Sequence, residues 1–228
     1  MRVICVMIVL LLLGGCMDPS ARPFQLKNLA KSDIDMVADA HIRQSKQLAR
    51  ELAIKLYKRN PRELKKVPGM TLERRLDQLF PPTRLANGFD ELGYRDGREA
   101  APLAFSEHFD GDRVFAFMAS ITGMLHRAYN GQKEVFLLDE LNQQKLYNSA
   151  RNLEALAWHL NNRRGPEGQL YLLSNGISAE GVTNYSYERI LSKLISLQDM
   201  MANIIADSTN RTITKVVHSA ASMTLLPI

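Results

Sequence analysis

The segment at residues 112–129 carries the pattern that most constrains the fold. One face of the helix that it predicts is large and apolar, formed by Val114, Phe117, Met118, Ile121 and Leu125. The opposite face carries small side chains, namely Ala116, Ala119, Ser120 and Gly123. A helix of this kind is buried on every side, and its small face lets a neighbouring segment approach closely. Its uncharged stretch, residues 114–125, is far shorter than the roughly 20 residues that cross a membrane, so we expect a core helix.

The rest of the chain predicts a mainly α-helical fold with one compact domain at residues 32–228. A composition that is 46% hydrophobic and 23% charged is typical of a globular protein and argues against disorder. We expect about five longer helices and two or three short ones. The first begins after Ser32 as N-cap, a central one begins near Ser186, and the last covers about residues 212–224. The apolar tail at residues 225–228 is expected to pack against the core.

Two short apolar runs interrupt the helical pattern, at residues 134–138 and 169–173. Runs of this length fit a buried strand, but their period alone does not distinguish a strand from a helical segment. If both are strands, they can pair with each other. The expected fold therefore allows for one small two-stranded sheet.

The first 16 residues have the layout of a bacterial export signal. The positively charged Arg2 is followed by an apolar stretch at residues 3–13 and then by a Leu-Gly-Gly-Cys run that ends at Cys16. The apolar stretch is too short for a spanning helix. A short positive start, a short apolar middle and small residues before a cleavage site are typical of a signal peptide. A plain secretory signal is the alternative, but it leaves the cysteine unexplained.

The Leu-Gly-Gly-Cys run resembles the lipobox of bacterial lipoproteins. The resemblance implies that the chain is cut between Gly15 and Cys16, and that Cys16 carries fatty acids such as palmitate as the first residue of the mature protein. Residues 1–15 are then the signal peptide, and residues 16–31 are the lipidated cysteine and a flexible tether. By resemblance to the sorting rule of such bacteria, Met17 implies the outer membrane, facing the periplasm, rather than the inner membrane. Residues 111–228 are similar to Gram-negative lipoproteins without an assigned activity, so that likeness carries no function over.

Removal of the signal leaves a basic domain without a thiol. Cys5 leaves with the signal and Cys16 carries lipid, so no disulfide forms and packing alone must hold the domain. The loss of Arg2 reduces 29 basic residues to 28, which against 24 acidic residues gives a net charge of +4. In residues 27–66, 11 Lys and Arg against 5 Asp and Glu give a local excess of +6. The pattern favours a solvated helix face without a partner. The alternative, on a lipid-anchored protein, is contact with anionic lipid headgroups or cell-wall polymer, and the location argues against nucleic acid.

No residue pattern predicts a catalytic or metal site. His41 lies in an apolar helical stripe and is expected to be a hydrogen-bonded core residue, while His159 and His218 are expected at the surface. The cluster at residues 107–112 brings carboxylates and a histidine together, but its spacing matches no metal-ligand motif. Asp112 has a better structural role as the N-cap of the buried helix. We therefore expect no cofactor and no metal, and we favour a binding role over an enzymatic one.

The longest irregular stretch, residues 83–111, is where a partner surface is most expected. Its length, glycines and charges suit a segment that docks a partner, with Arg95 and Arg98 on the contact surface. The alternative is a structural wrap, pinned by Leu92, Tyr94, Leu103 and Phe105. Both interpretations remain open at the level of sequence.

Together these features favour a membrane-anchored periplasmic lipoprotein that acts as a binding or scaffold component of the cell envelope, with an envelope protein as partner. A lipid or small-ligand carrier is the alternative, and an envelope hydrolase is the third hypothesis. An internal cavity lined by Phe117, Met118 and Met201 would favour the carrier. A solid core with an exposed apolar patch would favour the scaffold.

Overall fold

The computed structural model describes residues 31–82, 88–136, 140–178, 180–215, 221 and 224–228. The predicted signal peptide, the predicted lipidation site at Cys16 and residues 16–30 of the expected tether lie outside the described residues. Lys31, which the sequence assigns to the tether, already belongs to the folded domain, because its side chain is 2% exposed and pairs with Asp39 and Glu134. None of the described helices is both long and apolar enough to cross a membrane.

Helices dominate the described chain. In chain order they are α1 (Asp33–Arg59), α2 (Pro61–Lys65), α3 (Leu72–Leu79), α4 (Ala101–Ala104), α5 (Arg113–Ala128), α6 (Gln143–Asn162) and α7 (Ser186–Thr209). A two-stranded antiparallel sheet pairs β1 (Gly176–Ile177) with β2 (Thr183–Asn184). The mainly α fold with one small sheet is therefore confirmed, although the described residues contain four long helices rather than five.

The helix predicted to be buried on every side, α5, lies at the centre of the fold. Thirteen of its 16 residues are buried. Helices α1, α3, α4 and α6 pack around it, as does the 3₁₀ turn Gly97–Glu99. At its small face, a Cβ added at Gly123 would lie 2.7 Å from the Cα of Gly97. The small face therefore lets the backbone of a neighbouring segment touch the helix directly, as its sequence predicts.

The four long helices meet at one buried amide. The side chain of Gln198 in α7 is fully buried, and its Nε2 donates to the hydroxyls of Ser45 in α1 and Tyr129 at the end of α5, at 3.2 Å each. Its Oε1 accepts a hydrogen bond of 3.0 Å from Ser149 in α6. Because a buried polar group that loses its partner is costly, sliding of any of these helices is opposed by the amide.

A second buried network surrounds the N-terminus of α5. Asp112 caps the helix by accepting the backbone N–H of Phe115 at 2.9 Å, as predicted. Its other oxygen accepts from the Tyr57 hydroxyl at 2.9 Å and from Nε of Arg75 at 3.1 Å. The fully buried Arg75 also donates to both carboxylate oxygens of Glu91. One carboxylate thus joins α1, α3 and α5.

The strand pair that the sequence left open at residues 134–138 and 169–173 does not form among the described residues. The sheet forms at residues 176–184 instead, and residues 134–136 are not in a strand, while residues 137 and 138 lie outside the described residues. The amide of Asn60 accepts from the N–H of Leu173 at 2.8 Å and donates to its carbonyl at 2.9 Å. A side chain therefore takes the place of a neighbouring strand.

The prediction of a last helix at residues 212–224 is wrong for the first residues of that range. Residues 211–215 are not helical, and residues 216–220, 222 and 223 lie outside the described residues. The side chain of Gln144 in α6 accepts from the N–H of Thr214 at 2.8 Å and donates to its carbonyl at 3.1 Å. The segment is held alongside α6 by an amide rather than by its own helical hydrogen bonds.

His159 is buried rather than at the surface. Its side of α6 is covered, and both His159 and Asn152 are fully buried. Asn152 accepts from the N–H of Leu226 at 2.7 Å and donates to its carbonyl at 3.0 Å. Leu225 is buried as well, which confirms that the C-terminal tail packs against the core. His218 lies outside the described residues.

Replacing Asp112 by Ala is expected to destabilise the domain strongly. The change removes the cap of α5 and the acceptor of the Tyr57 hydroxyl, and it leaves Arg75 with Glu91 as its remaining ion-pair partner. We expect the free energy of unfolding, measured by urea denaturation, to fall by about 3–5 kcal/mol. The exposed neighbour Asp110 provides the matched control, and Asp110→Ala should change stability by no more than about 0.5 kcal/mol. Equal stability losses in the two variants would contradict the structural role of Asp112.

His41 is expected to make the domain less stable in mild acid. The residue is buried as predicted, burial lowers its pKa, and its Nδ1–H donates to the Leu197 carbonyl at 3.2 Å, which opposes that shift. The pKa of His41 is lower in the folded state than in the unfolded state, where it is about 6.5. The stability that neutral His41 contributes is therefore complete above about pH 6.5 and is lost as the pH falls below that value. His41→Asn should therefore flatten the fall in unfolding free energy between about pH 7.5 and pH 5.5. The exposed His108→Asn is the control and should keep the wild-type slope.

Candidate ligand cleft

A surface cleft of about 270 Å³ opens between α1 and α5. Its walls come from three parts of the chain, namely residues 42–49 of α1, residues 79–82 at the end of α3, and residues 122–133 at the end of α5 and beyond it. Small-molecule sites usually measure about 300–1,000 Å³. This α1–α5 cleft is thus sized for a small ligand or for one arm of a larger one.

The floor of the α1–α5 cleft is apolar. Ala49, Leu79 and Leu125 are buried in it, and Ile42 and Phe80 lie half-buried beside them. These residues come from helices that the Asp112 network and the Gln198 amide hold together. The floor is therefore a rigid apolar surface rather than a mobile loop.

The buried hydroxyls that line the cleft are already hydrogen-bonded to other groups of the domain. Those of Ser45 and Tyr129 accept from Gln198, and that of Thr122 donates to the Ala119 carbonyl. Burial raises the pKa of Tyr129 to about 12, so its hydroxyl stays neutral at physiological pH. One acceptor is left over, because Oε1 of Gln132 is buried and has no hydrogen-bond donor within the described part of the chain.

The rim of the α1–α5 cleft is cationic. Arg43 and Lys46 lie on consecutive turns of α1, Lys133 lies in the segment after α5, and all three are exposed. Among the described residues, no carboxylate forms an ion pair with any of them. Three positive charges around one opening, with no described carboxylate paired to them, attract an anion.

A second cavity, of about 290 Å³, is a weaker candidate. It is lined by Arg62, Lys66 and Arg113, but these cations have partners within the domain. Lys66 donates to the buried Glu63 at 2.8 Å, and Arg113 donates to the Ser106 carbonyl at 2.7 Å. Arg62 donates to the Tyr171 carbonyl at 3.0 Å. A ligand there would have to compete with bonds that support the fold.

The residues that the sequence selected for a partner surface lie at the surface of the domain. Arg95 and Arg98 are exposed, and neighbouring Tyr94 is 69% exposed, so Tyr94 does not pin the segment as the wrap interpretation supposed. Leu92 and Phe105 are buried. The described part of this segment, residues 88–111, is therefore packed on its inner side and carries charge on its outer side. Its docking role stays a prediction, and Gly15 and Cys16 lie outside the described residues.

The acidic cluster at residues 107–112 is dispersed in the fold. Asp112 is buried in the network at the start of α5, whereas Glu107, His108 and Asp110 are exposed. Within the described ranges, no three His, Cys, Asp or Glu side chains are grouped so that they could hold a metal ion.

The α1–α5 cleft was not recognisable from the sequence as a site. Arg43 and Lys46 belong to the basic region at residues 27–66, which the sequence does indicate, but Leu79, Leu125 and Lys133 come from distant segments without a motif. The only local signal was the charge excess itself.

Comparison with known proteins adds no relative. No protein-family model, no curated protein and no solved structure matches this chain.

Replacing Arg95 and Arg98 together by Ala tests the docking role of residues 88–111. Both side chains are exposed, so the melting temperature should stay close to that of the wild type. We expect the double variant to lose proteins that the wild type captures by crosslinking in intact cells. The double variant Arg189→Ala, Lys193→Ala removes two exposed cations from α7 and should keep those adducts. Unchanged capture by the Arg95 and Arg98 variant would assign the segment to packing alone.

Proposed function

We propose that this protein is a lipid-anchored lipoprotein of the bacterial envelope and that its helical domain is a binding or scaffold module. In this proposal Cys16 carries the acyl chains, the domain faces the periplasm from the outer membrane, and the α1–α5 cleft binds an anionic envelope partner. The observation that carries the proposal is the apolar cleft with three cations at its rim and no described carboxylate paired with them.

The packing of the core favours a scaffold over a carrier with an interior ligand. Phe117, Met118 and Met201 are all fully buried, and none of them lines the α1–α5 cleft or the second cavity. A protein that carries a lipid inside needs a central cavity. Binding at the surface agrees better with this core.

The position of Lys31 supports a role for the cleft near the membrane. Lys31 is the first described residue, and its ammonium lies 4.4 Å from the ring centroid of Phe136 and pairs with Glu134. The cleft is lined by Gln132 and Lys133, the residues just before that contact. In this proposal the tether enters the domain beside the cationic rim, because Lys31 contacts residues that follow Gln132 and Lys133.

The number of acyl chains on Cys16 explains why this residue alone would be enough to anchor the protein. One acyl chain binds a membrane only marginally, whereas two or more hold a protein stably at roughly 0.8 kcal/mol per buried CH₂. A diacylated or triacylated Cys16 therefore needs no help from the basic region. That region is free to bind a partner.

Replacing Cys16 by Ser is expected to abolish membrane attachment. Mass spectrometry of the native protein should show an acylated Cys16 as its first residue, and the variant should appear as a soluble or uncleaved precursor. The fold should be intact in circular dichroism, because the described domain begins at Lys31. A photoreactive residue in place of Pro82, which is exposed and lines the cleft, should give envelope adducts when Cys16 is present and fewer in the Cys16→Ser variant.

Cys5→Ser is the matched control, since it lies within the predicted signal and should leave acylation and adducts unchanged. An unmodified Cys16 in the native protein would rule out the anchoring proposal. Identical adducts from position 82 and from the exposed position Ser196 on α7 would rule out specific binding at the cleft.

A further inference from the structure

We propose that the α1–α5 cleft holds one acyl chain of an anionic phospholipid from the membrane surface, with the lipid phosphate on the cationic rim. This inference rests on the proposed lipid anchoring and specifies the partner at the same site. It assigns the floor of the cleft to the hydrocarbon chain and the rim to the headgroup.

The floor suits a hydrocarbon chain because it asks for no hydrogen bonds. Ser45, Thr122 and Tyr129 are the hydroxyl-bearing residues in it, and each is already hydrogen-bonded within the domain. An inserted peptide would bring backbone N–H and carbonyl groups that need partners when buried. An alkyl chain brings none, so the committed hydroxyls favour a lipid over an acidic peptide.

The rim suits a phosphate because its charges come from two segments of the chain that line one cleft. Arg43 and Lys46 belong to α1, and Lys133 belongs to the segment after α5. An arginine fork and two lysine ammonium groups together match a phosphate oxyanion. Oε1 of Gln132, which is buried without a described donor, can accept from a hydroxyl of the headgroup. Phosphatidylglycerol offers the phosphate and the hydroxyl in one headgroup.

The size of the cleft limits how much of the lipid enters. About 270 Å³ is below the usual range for a complete small-molecule site. One chain is therefore partly withdrawn into the cleft, and the second chain stays in the bilayer. Such a lipid would fix the orientation of the domain on the membrane, beyond what a flexible anchor provides.

The test uses the native lipoprotein reconstituted in vesicles, with a tryptophan in the cleft as reporter. Trp158 is the only tryptophan, and it is not among the residues that line the cleft. The reporter protein therefore carries Trp158→Phe and Phe80→Trp, and Ile42→Trp replaces Phe80→Trp as a second reporter. Vesicles contain equal parts of phosphatidylcholine and phosphatidylglycerol, and the chains of one or the other lipid are brominated to quench a nearby tryptophan.

We expect brominated phosphatidylglycerol to quench the cleft tryptophan much more than brominated phosphatidylcholine does. Arg43→Gln with Lys46→Gln should reduce this difference in quenching between the two brominated lipids by about fivefold or more. Arg189→Gln with Lys193→Gln is the matched control and should have no effect. The unaltered protein, with Trp158 in place, should show no preference between the two brominated lipids.

Two outcomes would overturn the inference. One is equal quenching by the two brominated lipids, and the other is a preference that survives the Arg43 and Lys46 substitutions. If the cleft tryptophan is not quenched while the photoreactive residue at position 82 captures a protein, the cleft belongs to a protein partner. The lipid assignment is then wrong, but the anchored binding module stands. An unmodified Cys16 instead removes the anchoring itself.

Discussion

The rest of the fold depends on the hydrogen bonds that the carboxylate of Asp112 accepts. This carboxylate satisfies the first turn of α5, the one helix that has almost no contact with water, and it accepts from Tyr57 of α1 and Arg75 of α3. A buried carboxylate beside a buried guanidinium is costly unless both are fully hydrogen-bonded. Here Glu91 accepts two further hydrogen bonds from the guanidinium of Arg75. The network therefore specifies where α1 and α3 meet α5.

Three amide side chains supply hydrogen bonds to irregular segments that pack against the helical core. The irregular segments around Leu173, Thr214 and Leu226 have no neighbouring strand in the described chain to take their peptide groups. In each case one amide pairs with both the N–H and the carbonyl of a single residue, from Asn60, Gln144 and Asn152 respectively. Helices α1 and α6 thereby hold these segments as tightly as a strand would. Because the buried side of α6 is occupied in this way, its polar residues serve packing rather than binding.

The hydroxyls inside the α1–α5 cleft are already hydrogen-bonded, whereas the cations at its rim have no described ion-pair partner. The Gln198 amide that joins the four long helices is also what binds the hydroxyls of Ser45 and Tyr129 beneath the cleft. The same helix α1 presents Arg43 and Lys46 to solvent. A surface of this kind recognises a ligand by charge at its edge and by apolar contact at its floor. That chemistry agrees with an amphiphile at a membrane surface, which is where the proposed acylation of Cys16 would hold the domain.

The sequence by itself determined the features that depend on neighbours along the chain. The apolar and small faces of α5 are set by helical spacing, and the caps at Ser32 and Asp112 act within three residues, so both were predictable and both are confirmed. The lipobox resemblance is local in the same sense, although it stays a prediction. The tertiary structure alone decided the segments whose partners are distant: Asn60 and Leu173 are 113 residues apart, and Gln144 and Thr214 are 70 apart. The α1–α5 cleft belongs to this second class, because its floor and rim are assembled from three segments and no local pattern encodes their meeting.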